Sequence, residues 1–105
     1  MQFALKMPMA DLVPPAGASH ADLIGTMARA LEGAGVSACL TSEHPAPSAE
    51  WLRTDPAAHD CLDPLTALAF VAGTTKALKL FTNILVLPYR NPFLTAKAAA
   101  TLQIL

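Results

Sequence analysis

The stretch LFTNILVLPYRNPFLTAKAAATLQIL, residues 80–105, decides the fold. Its first eight residues make an apolar run of strand length. Pro88, Tyr89 and Arg90 interrupt the run. Asn91 then stands where a helix N-cap belongs, because its side chain can accept from backbone N–H groups that have no partner inside the helix. Pro92 follows at the first helical position, where its missing N–H costs nothing. A strand feeding a helix at its carboxyl end is the repeating step of α/β folds, and that edge is where such folds bind ligands.

The same step occurs twice more upstream. Residues 2–7 read as a first strand, with Phe3 and Leu5 on one face, and residues 9–19 as a loop rich in Pro, Gly and Ala. Ser19 caps a helix running to about residue 34. Its Leu23, Ile24, Met27, Leu31 and Ala34 form one stripe, and Gly35 closes it. Residues 36–41 read as a second strand and 42–62 as a long polar loop. Asp63 caps a second helix that starts on Pro64 and buries Leu65, Leu68, Ala69 and Ala72. Residues 79–87 form the third strand. The helix after Asn91 turns Leu94, Ala98, Leu102 and Leu105 inward. Three β-α units predict an α/β fold with parallel strands in order 1-2-3. The apolar runs of strands two and three predict cover on both faces of the sheet.

Composition sets limits. The chain has 105 residues, one domain at most. A complete (β/α)8 barrel needs roughly 250 residues, so a partial barrel of about three units over residues 1–105 is expected. Charged residues are only 14% and apolar residues 53%, which suggests faces meant for burial. A net charge of −1 without a basic patch argues against nucleic acid as partner. No apolar run reaches the ~18 residues of a membrane span, and the first residues do not make a signal peptide. Cys39 and Cys61 form no CxxC pair, as expected of a reduced, cytoplasmic protein.

Several chemistries lack their signatures. The loop after strand one has no GxGxxG, and neither a Walker loop nor a GxSxG elbow occurs. His44, His59, Asp60, Cys61 and Asp63 share one loop, but the spacing matches no established zinc pattern. No metal site is expected.

Four segments carry a family resemblance. Ser42-Glu43-His44-Pro45 follows strand two, and Asp63-Pro64-Leu65-Thr66-Ala67-Leu68 opens the second helix. Residues 80–87 continue into Tyr89-Arg90-Asn91-Pro92, and the third helix carries Ala96-Lys97 and Thr101-Leu102. In register with the β-α pattern, these resemble the N-terminal part of luciferase-like monooxygenases, in particular the deazaflavin (F420)-dependent oxidoreductase branch. The resemblance implies a TIM barrel whose cofactor lies across the carboxyl ends of the strands. It also implies that residues gripping the cofactor's phosphate tail belong to later units. F420 is the implied cofactor, with FMN the alternative.

Candidate site residues follow from position and resemblance together. His44, at the carboxyl end of strand two, suits general acid/base work or cofactor contact, and the resemblance places it in the cofactor pocket. Glu43 has two readings, a surface carboxylate or a partner to His44 beside the cofactor. Asn83 is a polar residue inside an apolar strand and needs a reason to be there. The resemblance implies a non-prolyl cis peptide at Asn83–Ile84, with Thr82, Asn83 and Ile84 against the cofactor ring. Arg90 is read as solvated or carboxylate-paired, Tyr89 as a half-buried cover over the strand end, and Trp51 as a loop anchor or a pocket wall. His20 is read as a surface group.

Two functions from different classes stand side by side. One is an oxidoreductase or monooxygenase using reduced flavin or F420 on a small organic substrate. The other is a non-catalytic fragment of such a barrel that self-associates or needs a partner chain, because an open parallel sheet leaves edges to be covered.

Overall fold

The computed structural model describes residues 1–56 and 58–105. Three short strands, β1 (Ala4–Lys6), β2 (Ala38–Thr41) and β3 (Lys79–Thr82), form one parallel sheet in the order 1-2-3. Leu5, Cys39 and Leu80 share one row of the register, and Lys6, Leu40 and Phe81 the next. The helices are α1 (His20–Gly33), α2 (Ala49–Thr54), α3 (Pro64–Thr74) and α4 (Pro92–Ile104). This is the expected α/β architecture, consistent with part of a (β/α)8 barrel.

Local chemistry sets the helix ends. Ser19 and Asp22 form a reciprocal capping box at the start of α1. Gly35 follows the Ala34 C-cap at φ +79°, a left-handed conformation that costs glycine little. Asp63 caps α3 and Asn91 caps α4, each with Pro at the next position. Each such cap contributes about 1 kcal/mol.

The core lies between α1, α3 and one face of the sheet. Ile24 and Ala28 come from α1, Cys39 from β2, and Ala67, Leu68 and Val71 from α3. Leu78 precedes β3, and Met7 and Met9 follow β1. Burying Leu68 or Val71 contributes about 1.5–3 kcal/mol each. Glu32, in the last turn of α1, ties this layer to the sheet. Its Oε1 accepts from the N–H groups of Lys76 (2.8 Å), Ala77 (2.6 Å) and Leu78 (3.0 Å).

Several expectations need correction. The helices cover one face of the sheet only: Cys39 is fully buried, but Phe81 in the adjacent row is 58% exposed. An apolar strand records a face that something can cover, not the presence of the cover. The third strand stops at Thr82, short of residue 87, because the chain bends at Asn83 and forms a 3-10 turn at Leu87–Tyr89 around Pro88. The long polar loop contains α2, which Ser48 caps by accepting from the Trp51 N–H. On α3 the buried stripe is Pro64, Ala67, Leu68 and Val71, while Ala69 is exposed. On α4 no residue is buried. Only Leu102 packs against the core, and Leu94 and Leu105 face outward.

Candidate functional site

The carboxyl edge of β2 carries Ser42, Glu43 and His44 in succession. Glu43 is buried, with 7% exposure, and is not a surface carboxylate. A buried carboxylate needs partners, and the loop after β3 supplies them. Its Oε2 accepts from the Val86 N–H at 2.6 Å and from Arg90 Nε at 3.3 Å, and its Oε1 accepts from Arg90 Nη2. Arg90 Nη2 also donates to Asp63 Oδ2, whose other oxygen accepts from the Thr66 N–H at 2.9 Å. One guanidinium therefore joins the end of β2, the start of α3 and the loop after β3. The hydrogen bonds to Glu43 and then to Asp63 raise the Arg90 pKa. Partial burial pushes the Asp63 carboxyl up, but the bonds from Arg90 and Thr66 outweigh it and hold it below the usual carboxylate range.

His44 follows this clamp and is half-buried. Its ring lies 5.1 Å from that of Trp51 and 4.6 Å, edge to face, from that of His59. The indole is itself fixed, because Trp51 Nε1 donates to Asp55 Oδ2 at 2.9 Å. Trp51 is thus a pocket wall on a helix. His44 borders two hollows. One, of about 370 Å³, is walled by Pro45, Pro47, Trp51 and Tyr89. The other, of about 290 Å³, is lined by Glu43, Asp63, Tyr89 and Arg90 among others. Tyr89 is 76% exposed, more open than the half-buried cover expected of it.

Thr82, Asn83 and Ile84 lie at the neighbouring strand end and line neither hollow. Thr82 pairs with Thr41 in the register, and the Asn83 N–H donates to the Thr41 carbonyl at 2.8 Å. The Asn83–Ile84 peptide bond is cis. His20 opens α1 as an exposed residue.

A family model for luciferase-like monooxygenases matches residues 1–105. The chain belongs to the luciferase-like monooxygenase family. This is a family of flavin-type oxidoreductases and monooxygenases, which generally use flavin or F420 cofactors. A search among curated proteins returned no match. Among the described residues no helix is long and apolar enough to cross a membrane.

The residues present fit one half of a luciferase-family cofactor. A flat ring suits a hollow with apolar walls and one convergent polar group, which Pro45, Pro47, Trp51, Tyr89 and His44 provide. The anionic tail does not fit. Arg90 is the only Lys or Arg among the described residues lining the two hollows. It is committed to two carboxylates of the same sign as a phosphate.

Spacing did not reveal His59 and Cys61 as neighbours of His44. The fold brings ligand atoms of the three side chains within 4.8 Å of one another. The only sequence signal was their common loop.

Proposed function

We propose that the chain forms the ring-side half of a cofactor site in a luciferase-like oxidoreductase, with F420 the cofactor and FMN the alternative. The observation that carries this is His44, held at the carboxyl end of β2 between an apolar hollow and the Glu43–Arg90–Asp63 clamp. The preference for F420 rests on Ser42-Glu43-His44-Pro45 and Tyr89-Arg90-Asn91-Pro92, which resemble the deazaflavin branch. When bound, the reduced cofactor supplies a hydride, or electrons to oxygen, for a small organic substrate. His44 gives or takes a proton at that substrate. Pro45, Pro47 and Trp51 exclude water from one side. Glu43 positions the loop through Arg90 and Val86 while its neighbour His44 faces the ring. Thr82, Asn83 and Ile84, at the end of β3, line neither hollow; the resemblance alone puts them beside the ring.

The test uses compounds that differ only in their charged tail. Riboflavin and FMN, and likewise F420 and its tail-free chromophore, are titrated against Trp51 fluorescence with a chelator present. Equal affinities within about threefold, with dissociation constants above about 10 μM, are expected, and His44→Ala should weaken all four. FMN binding more than about tenfold tighter than riboflavin would overturn the half-site. No binding of any of them would overturn the cofactor reading.

A second reading has its own observation. Phe3, Phe81, Ile84, Phe93 and Leu94 are large, apolar and exposed. Exposed apolar side chains of this size suit a non-catalytic piece that pairs with a second copy or with a chain supplying the rest of a barrel. Tail-independent ring binding separates the first reading from this one.

A further inference from the structure

The loop from β2 to α3 brings His44, His59 and Cys61 together, and none of these needs the flavin reading to explain it. All three are half-buried, and each offers one ligand atom within 4.8 Å of the others. We propose that they bind a borderline-soft divalent transition-metal ion, with zinc as the type, through two imidazoles and one thiolate.

The donor set selects the ion. Two nitrogens and a sulfur suit zinc and its neighbours, whereas calcium and magnesium need oxygen ligands. Metal–ligand bonds of about 2.0–2.3 Å put tetrahedral donors about 3.5 Å apart. Closing from 4.8 Å therefore takes side-chain shifts on the order of 1 Å. The loop is suited to hold still while this happens. Arg90 binds Glu43 at one end and Asp63 at the other, and Trp51 packs against the His44 ring. Cys61 Sγ lies 3.5 Å from Ser42 Oγ, so its thiol already faces the strand end. Three protein donors leave a fourth position for water or an added ligand.

One neighbour opposes the ion. Lys6 Nζ lies 3.4 Å from His59 Nε2 in an exposed contact. Its ammonium can swing into solvent, but a dication has to displace it. Removing Lys6 should therefore tighten binding, which a merely structural cluster does not predict.

This inference goes beyond the cofactor reading and competes with it for His44. The two fail separately, because the ring titration is run with chelator and the metal titration without flavin. The full chain is titrated with Co²⁺, followed by its thiolate charge-transfer absorption, and with Zn²⁺, followed by emission of Trp51, the one tryptophan in the sequence. One ion per chain with a dissociation constant below about 10 μM is expected. Cys61→Ser should abolish the charge-transfer band, and His59→Gln should weaken Zn²⁺ at least about tenfold. Lys6→Ala should tighten it, and Cys39→Ala should leave the band in place. Circular dichroism checks that each variant is folded. Absence of the band in the unaltered chain at excess Co²⁺ overturns the proposal, whatever the variants do. So does a band that depends on Cys39, or Zn²⁺ affinity unchanged in folded Cys61→Ser.

Discussion

Arg90 binds the buried carboxylate of Glu43 across 47 positions of sequence, closing the loop after β3 onto the end of β2. This contact sets the geometry of the edge that carries His44. A buried pair of this kind contributes little net stability, yet losing one partner leaves the other charge stranded.

Arg90→Ala should therefore destabilise the chain by about 3 kcal/mol, because Glu43 keeps only the Val86 N–H. Arg90→Met combined with Glu43→Leu should recover much of that loss. Urea unfolding of Arg90→Met, Glu43→Leu and the double variant measures the coupling. An unchanged midpoint for Arg90→Ala would show that the clamp holds nothing.

Glu32→Gln should destabilise at neutral pH. Backbone N–H groups of Ala77 and Lys76 hold the Glu32 carboxyl below its ordinary value against the opposing effect of burial, with a further bond from Leu78. The folded pKa is thus depressed. The stabilisation is full above the unfolded value of about 4.3, declines below it, and is gone once pH has fallen through the folded value. The gap in Tm between the two proteins should be wide at pH 7 and close in acid. A gap independent of pH would mean that the amide loses packing, not charge.

Cys39 should resist thiol reagents while Cys61 reacts. Burial pushes the Cys39 thiol up to about 11, so little of it is thiolate at pH 8. Cys61 is only half-buried. Timed labelling should give one fast thiol per chain, and a second only on adding denaturant. Two fast thiols would contradict the packing of β2 against α1 and α3.

The isolated chain should associate through its uncovered sheet face. Phe81 is exposed there beside Leu40, and charged residues are sparse in the chain. Phe81→Ser should shift sedimentation toward monomer without lowering Tm, because its ring is 58% exposed. A concentration-independent monomer for the unaltered chain would contradict this.

What the sequence determined by itself was local. Ser19, Asp63 and Asn91 announce helix starts, Pro64 and Pro92 the first helical positions, and Gly35 a helix end, because capping acts within three or four residues. The parallel order 1-2-3 was legible too, since alternating elements leave few other arrangements. Motifs in register with that alternation gave the family. Only the tertiary structure decided the rest. It buried Glu43 against Arg90, brought His59 and Cys61 to His44, stopped β3 at Thr82, and left Phe81 and, on α4, Phe93, Leu94 and Ile104 without cover. The physical reason is that a charge's partner and an apolar face's cover come from chain distant in sequence. A residue's type records that such a partner is needed, and only the packed fold supplies or withholds it.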